Sequence, residues 1–299
     1  MIAASPARPD RDSHPSVTDS ISLQVLGQHI GIRYDAPSLR DCLSANFAAM
    51  ASPNAVGTPN PDLDYSISVD GPSFVLERSG RLVASATGLA DLIHYLEKDL
   101  IVNLQQRRAD LFFLHSAAVE WRGKAILLAA DAGSGKSTTT WGLMHHGVGY
   151  LSDELSPIDL RTMEVFAYPH ALCLKTAPPH PYPLPSGAMH LGRTTHIPVQ
   201  ALPGPLGRQP LPLGAVFLIK HDPQLAEPTV RPLRAAEASA RLYVTALNAL
   251  AHDERGLTAV MRIAASVPRF EIRTAGLTET CHLILSAVDQ AETCSSSSC

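Results

Sequence analysis

Apolar and polar residues alternate along the first third of the chain in a way that predicts a small mixed unit. Residues 21–34 alternate as a strand pair or one long strand, and apolar residues at helical spacing predict helices over 38–50 and 89–106. Short alternating segments bounded by glycine-containing turns predict further strands at residues 65–69, 73–77 and 82–85. We therefore expect a small α+β N-terminal domain over residues 21–109, without recognisable chemistry of its own.

The pattern changes near Phe112, where the apolar runs become denser. The continuous run at residues 125–130 is typical of a strand buried on both faces. A strand at 114–119 precedes it, and a helix at 136–145 and a strand at 148–151 follow, which predicts a βαβ unit with a right-handed crossover. The predicted α/β domain spans residues 110–290, and its further strands and helices are expected at residues 214–220, 235–250, 269–273 and 277–288.

Three segments of biased composition flank or interrupt these units. Residues 1–20 are polar and rich in proline, so we expect a disordered lead. The serine run near the C-terminus predicts a flexible tail over residues 291–299, whose serines could alternatively accept phosphate from the protein itself. Residues 178–212 hold ten of the 24 prolines, which predicts a long, mobile or irregular segment of a kind that is often functional.

Composition and charge narrow the class of protein. Hydrophobic residues make up 45% of the chain, as in a globular protein, and the net charge of -4 provides no strong field for nucleic acid or membrane. No apolar run approaches the roughly 18 residues that span a bilayer. The five cysteines include no CxxC pair, so free thiols in a reducing cytoplasm are the simplest interpretation.

A glycine-rich loop connects the densest strand to the helix that follows it. Residues 130–137 read A-D-A-G-S-G-K-S, which matches the Walker A pattern except that Ala130 replaces the first glycine. Such a loop turns backbone N–H groups and the positive end of a helix toward phosphate oxygens. We expect Lys136 to reach the β- and γ-phosphates, Ser137 to bind Mg²⁺ and Thr138 to contact the α-phosphate. The expected nucleotide-binding residues are Asp131, Ala132, Gly133, Ser134, Gly135, Lys136, Ser137 and Thr138.

Two acidic residues end the strand that follows this helix. In a parallel sheet, Asp153 and Glu154 would lie at the carboxyl end of a strand beside the loop, where ligands bind. One acid can bind Mg²⁺ and the other can accept the proton of an attacking hydroxyl. The sequence leaves open which acid does which, and an exposed acidic turn is the alternative interpretation.

Spacing separates the classes of nucleotide-binding protein. Only 16 residues lie between Lys136 and Asp153, whereas transporter-type ATPases carry an Asp-Glu pair far later, after an LSGGQ-like signature that this sequence lacks. Regulatory GTPases require a DxxG motif and an [NT]KxD motif. Residues 219–222 (IKHD) are a near match to the second motif only, and we interpret that match as coincidental.

These motifs together resemble HPr kinase/phosphorylase and its relatives over residues 115–175. The family's H-G-x-x-V motif corresponds to residues 115–119 (HSAAV), its G-D-S-G-x-G-K-S loop to A-D-A-G-S-G-K-S, and its V-A-D-D strand end to residues 151–154 (LSDE). The resemblance implies an α/β fold with a P-loop kinase core of the HPr kinase/phosphoenolpyruvate carboxykinase type, and phosphoryl transfer to a serine hydroxyl. It also implies that His115 lies near the phosphates and that the acid pair supplies base and metal functions.

The chain departs from the bifunctional members of that family. Their E-x-R-G-x-G-I signature, tied to dephosphorylation, is replaced by residues 167–175 (AYPHALCLK), so phosphorylase activity is not expected. The N-terminal domain and the Y-P-x-x-x-x-L-K segment are similar to divergent members that phosphorylate the C-terminal serine of lasso-peptide precursors. Lys175 in this segment is a candidate contact to phosphate or an acidic substrate, and a solvated strand end is its alternative.

The expected function is an ATP- and Mg²⁺-dependent serine kinase acting on a peptide or small protein. Its expected catalytic residues are Asp153, Lys136, His115 and Glu154, and its expected metal ligands are Ser137, Asp153 and Glu154. Two alternatives stay open: a nucleotide-binding regulatory module without transfer, and a small-molecule kinase. The sequence does not identify the acceptor, decide between ATP, GTP and pyrophosphate, or exclude a homo-oligomer.

Overall fold

The computed structural model describes residues 19–52, 60–131 and 133–296. Most of the expected disordered lead and the last three residues of the expected tail lie outside these ranges. Within them the chain is a mixed α/β protein with several sheets and six α-helices, which agrees with the predicted fold class at that level. None of these described helices is long and apolar enough to cross a membrane.

The N-terminal part forms a five-stranded sheet whose strand order follows the chain. The segment predicted as one strand or a pair is an antiparallel pair, β1 (Asp19–Val25) and β2 (Gln28–Tyr34). β2 pairs in parallel with β3 (Leu63–Asp70), and β4 (Ser73–Arg78) and β5 (Arg81–Ala86) continue as an antiparallel meander. The three short strands predicted in this region are therefore confirmed.

Two helices pack on this sheet, α1 (Ser38–Phe47) and α2 (Leu89–Arg107). Both were predicted from apolar spacing, and a single 3₁₀ turn continues α1 to Met50. We call residues 19–107 the N-terminal unit. Its hydrophobic core also includes side chains from the rest of the chain, namely Leu111, Phe113, Leu155, Tyr168 and Leu191. This shared core packs the unit directly against the segment that carries the predicted acid pair.

Beyond the N-terminal unit, the described residues form a nine-stranded sheet, a three-stranded sheet and four α-helices. The strands are β6 (Leu111–Leu114), β7 (Ser116–Trp121), β8 (Lys124–Ala130), β9 (Gly149–Ser152), β10 (Ser156–Asp159), β11 (Glu164–Val165), β12 (Leu172–Leu174), β13 (Met189–Leu191), β14 (Thr194–Ile197), β15 (Leu211–His221), β16 (Thr229–Pro232) and β17 (Arg269–Thr274). The helices are α3 (Lys136–His145), α4 (Ala235–Val244), α5 (Leu257–Ser266) and α6 (Leu277–Ser296).

β8 occupies the centre of the nine-stranded sheet, between antiparallel β7 and parallel β15. Its alternate residues enter two different cores, because successive side chains of a strand point to opposite faces. Leu127 packs with the apolar faces of α4 and α5 on one side, and Leu128 packs with α3 and α6 on the other. The continuous apolar run of β8 is thus explained by helices on both faces.

Several sequence predictions need correction. The strand predicted at 114–119 is interrupted at His115, and β7 separates β8 from β9, so the predicted βαβ unit does not place adjacent parallel strands together. The proline-rich segment 178–212 is partly regular, because β13 and β14 form the three-stranded sheet with β12. The final helix continues to Ser296, so residues 291–296 are helical rather than a flexible tail. Helix α5 was not predicted at all.

Candidate functional site

Three chain segments converge at one edge of the nine-stranded sheet. β8 and β9 run in the same direction on either side of β7, which is antiparallel to both. The carboxyl ends of β8 and β9 therefore lie beside the amino end of β7. The glycine-rich loop follows β8, the acid pair follows β9 and His115 directly precedes β7, so this strand order brings the predicted site residues together without adjacent parallel strands.

The backbone of the glycine-rich loop requires its glycines. Gly133 has a φ of 82° and Gly135 a φ of 87°, a left-handed conformation that costs other residues about 1–2 kcal/mol. A Cβ atom on either residue would meet no atom of the described residues within 4 Å, so the left-handed conformation rather than crowding favours glycine. Gly135 caps α3, whose first N–H groups have no acceptor within the helix and are available to an anion. The candidate Ala132 lies outside the described residues.

Lys136 and His115 contact each other and Glu154. The Nζ atom of Lys136 lies 3.3 Å from Nε2 of His115 and 3.8 Å from Oε2 of Glu154. An ammonium group only donates, so Nε2 accepts and the ring proton is on Nδ1. Nδ1 donates to the carbonyl oxygen of Glu154 at 3.2 Å and also lies 3.2 Å from Oε2 of its side chain. Burial, followed by the charge of Lys136, lowers the pKa of His115 and keeps the ring neutral near pH 7.

Asp153 is enclosed, with only 1% of its surface exposed. The N–H of Cys173 donates to its Oδ2 at 3.3 Å, and the side chain of Ser137 lies nearby. Its other oxygen, Oδ1, has no hydrogen-bond partner among the described residues. Burial raises the pKa of Asp153 to about 6, although the charge of Lys136 opposes the rise. A carboxylate with a pKa close to neutrality is suited to accept a proton.

Glu154 has a different environment from its neighbour. About a third of its side chain (35%) is exposed, and its carboxylate faces Lys136 and His115. Asp153 instead faces Ser137 and the segment that begins β12. The exposed acidic turn considered as an alternative is therefore wrong for Asp153, because that side chain is almost entirely buried.

The oxygen atoms near the loop fit Mg²⁺. The hydroxyl of Ser137 and the unpartnered Oδ1 of Asp153 are hard ligands of the type that Mg²⁺ prefers, and Mg²⁺ in nucleotide sites takes few protein ligands beside phosphate and water. Among the described residues, no group of three or more His, Cys, Asp or Glu side chains could hold a metal. With Ser137 and Asp153 as its protein ligands, a divalent cation here would take its other ligands from phosphate oxygens and water.

The remaining candidates lie around this centre. Lys175 follows β12, is exposed, and its charge contributes to the lowered pKa of His115, so it faces the same site. Ser134 and Thr138 are half-buried on the loop and the first turn of α3, and Asp131 is exposed. Apart from Ala132, which is not described, the structure brings every predicted site residue to this edge of the sheet.

Three functional candidates were missed by sequence reasoning. Glu97, Tyr168 and His170 lie behind Asp153, and each has a buried polar atom that finds no hydrogen-bond partner in the part of the chain that the structure describes. The helical spacing of α2 carried a signal for one of them, because Glu97 is four residues after the buried Ile93 and three before the buried Leu100. An acidic residue on the apolar face of a helix is a candidate for a buried role.

Comparison with known proteins adds no family assignment. No protein-family model matches this chain, and none of the curated proteins matches it.

Proposed function

We propose that this protein is an ATP- and Mg²⁺-dependent kinase that transfers a phosphoryl group to a serine hydroxyl of a peptide or small protein. The proposal includes a P-loop kinase core of the HPr kinase/phosphoenolpyruvate carboxykinase type. The observation that carries it is the convergence of the glycine-rich loop with the acid pair: Nζ of Lys136 lies 3.8 Å from Oε2 of Glu154, next to the buried Asp153. This convergence supports a base and metal ligand beside a phosphate site.

Nucleotide binding is assigned to the loop and the first turn of α3. Their N–H groups and the helix dipole favour phosphate oxygens, and Lys136 supplies the compensating charge. In the structure Lys136 contacts His115 and Glu154. We expect it to exchange these partners for phosphate oxygens when ATP binds, which would release the carboxylate of Glu154.

The transfer step follows from the positions of the acids. The acceptor oxygen forms a bond to the γ-phosphorus while the bond from that phosphorus to the β–γ bridging oxygen breaks, and ADP leaves with the electron pair. Asp153, supported by Glu154, orients the hydroxyl and takes its proton. A bound Mg²⁺, held by Ser137 and the acid pair, would neutralise charge on the phosphates. Lys136 stabilises the same charge from the loop side.

The acceptor is assigned to the open side of the site. On that side the charged side chain of Lys175 is exposed and that of Glu154 is partly exposed. The proline-rich segment 178–212 follows Lys175 along the chain. The resemblance to kinases of lasso-peptide precursors makes a C-terminal serine the first acceptor to test, and an internal serine and free serine are the comparisons.

A thermal-shift measurement tests nucleotide binding. Saturating Mg·ATP at 100 times its Kd should stabilise the protein by about 2.7 kcal/mol, and Lys136→Ala should abolish most of this effect. Lys124→Ala is the matched control, because this lysine forms only a surface ion pair with Glu292 at 3.0 Å. Equal stabilisation of both variants by Mg·ATP, or no stabilisation of the unaltered protein, would contradict nucleotide binding at this loop.

Label transfer from [γ-³²P]ATP tests the kinase itself. Peptides with a C-terminal serine, an internal serine or no serine are compared with free serine, using Asp153→Asn and the control Asp289→Asn on α6. Serine-dependent labelling that is lost only in Asp153→Asn supports the proposal. Labelling of free serine alone would indicate a small-molecule kinase, and ATP binding without any transfer would indicate a regulatory module.

A further inference from the structure

Unpartnered polar atoms gather behind the acid pair. Among the described residues, six buried side-chain atoms have no hydrogen-bond partner, and four of these belong to Glu97, Asp153, Tyr168 and His170. We call these four residues the buried polar cluster. A buried polar atom without a partner costs about 1–3 kcal/mol, so a concentration of four in one place calls for a functional reason.

The members of the buried polar cluster are spatial neighbours. Nδ1 of His170 lies 3.4 Å from Oε1 of Glu97, an ion-pair distance that lacks hydrogen-bond geometry. The rings of Tyr168 and His170 are stacked with their centroids 6.3 Å apart. Burial raises the pKa of Glu97 and lowers that of His170 to about 4, and the charge of the nearby Asp153 contributes a smaller upward effect on both. Glu97 is the one member that comes from the N-terminal unit.

A short segment links Glu97 to Asp153. His170 donates from Nδ1 to the carbonyl of Ala171 at 3.1 Å, because a carbonyl oxygen can only accept. The hydroxyl of Tyr150 donates to the carbonyl of His170 at 2.9 Å. Further along the same segment, the N–H of Cys173 donates to Oδ2 of Asp153 at 3.3 Å. Residues 168–173 thus contact Glu97 at one end and orient Asp153 at the other.

We propose that Glu97 is a positioning residue for Asp153, so that the N-terminal unit supplies part of the support of the active site. Its carboxyl group packs 3.4 Å from Nδ1 of His170, and the 168–173 segment that carries this ring orients the carboxylate of Asp153 through the N–H of Cys173. The side chain of Glu97 is only 18% exposed, and Oε1 itself is buried. Burial raises the pKa of Glu97 to about 7, because the ionised carboxylate is less stable at this buried position than in water. An effect of Glu97 on kcat rests on the proposed kinase activity, whereas an energetic coupling between Glu97 and Asp153 does not depend on it.

Kinetics with matched variants tests the positioning role. Glu97→Gln keeps the shape of the side chain and removes its charge, and we expect kcat to fall about tenfold to hundredfold with the KM for ATP changed less than about twofold. Asp99→Asn is the control, because Asp99 is on the same helix but bonds Tyr65 and Arg78 within the N-terminal unit. An unchanged kcat in Glu97→Gln, or an equal fall in Asp99→Asn, would overturn the proposal.

A double-mutant cycle tests the same coupling without any activity. The melting temperatures of Glu97→Gln, Asp153→Asn and the double variant are measured without nucleotide. We expect the change in melting temperature of the double variant to differ from the sum of the two single changes by about 2 °C or more. For the control pair, Asp99→Asn and Asp153→Asn, we expect the two changes to be additive. Additive shifts for Glu97 and Asp153 would refute the positioning role. Coupled shifts in a protein that transfers no phosphate would refute the kinase proposal alone.

Discussion

The ammonium group of Lys136 donates a hydrogen bond to Nε2 of His115 across 3.3 Å. Both groups are cations when protonated, so the contact is stable only while His115 is neutral. Burial and the charge of Lys136 lower the pKa of His115 in that direction, and Glu154 fixes the ring proton on Nδ1. His115 therefore connects the glycine-rich loop to the acid pair, although the sequence places it on a different strand from both.

Substitution of His115 tests this connection. His115→Asn can keep a donor toward Glu154 but offers no acceptor where Nε2 meets Lys136, and His115→Ala loses both contacts. We expect kcat/KM for phosphoryl transfer to fall about tenfold in the first variant and about a hundredfold in the second. Steady-state kinetics with the best serine peptide measures this, with His282→Asn on the exposed face of α6 as control. Values within about twofold of the unaltered protein would exclude His115 from the mechanism.

The glycine-rich loop should tolerate no side chain at Gly135. Its φ of 87° is strained for alanine, so Gly135→Ala should lower the free energy of unfolding by about 1–2 kcal/mol and remove the stabilisation by Mg·ATP. Urea denaturation with and without nucleotide measures both effects. Gly187→Ala is the control, because a Cβ there meets only Ala201 at 3.8 Å and the backbone is not left-handed. An Mg·ATP shift that persists in Gly135→Ala would contradict the assigned loop.

The acidity of Glu97 predicts a pH-dependent stability difference. Its pKa is raised from 4.5 to about 7 in the folded protein, so folding favours the protonated form and stability is lost as the pH rises through this interval. Glu97→Gln removes this loss of stability, because glutamine does not ionise. The variant should therefore gain stability relative to the unaltered protein between pH 4.5 and 7, by no more than about 3 kcal/mol, and the gain should level off above pH 7. Melting curves across this range would contradict the assignment if the difference were constant.

Close packing of α3 against α6 can be tested at Gly142. A Cβ at this position would come within 2.8 Å of Sγ of Cys281 and 2.9 Å of Leu277. The better helix propensity of alanine, about 1 kcal/mol, is therefore outweighed, and we expect Gly142→Ala to destabilise the protein by about 1–3 kcal/mol. Adding Cys281→Ala should restore part of the loss. Stabilisation by Gly142→Ala alone would show that the two helices lie further apart.

The role of Lys175 is separable from folding. Because the side chain is exposed, Lys175→Ala should leave the melting temperature unchanged. If its charge serves the acceptor or a phosphate, KM for one substrate should rise several-fold while kcat is retained. Lys98→Ala, an exposed lysine of α2, is the control. Unchanged KM values for both substrates would leave Lys175 as a solvated strand end.

Much of the candidate site could be predicted because its chemistry is local. The glycines, Lys136 and Ser137 lie within a few residues of the end of β8 and the start of α3. The acid pair directly follows β9, which is the next strand along the chain. The role of Glu97 could not be predicted with the same ease. Its position on the buried face of α2 is readable from helical spacing, but nothing along the chain indicates which residues it meets there.

Short-range patterns were sufficient for the strand that precedes the loop, the glycine-rich loop and the helix that follows, because each depends on interactions within a few residues. The order of strands was settled by long-range packing. Insertion of β7 between β8 and β9 brings His115 to the loop and acid pair, and the shared core of the N-terminal unit brings Glu97 behind Asp153. These contacts join residues distant in sequence, and such pairings are selected by burial of the whole core rather than by local preference.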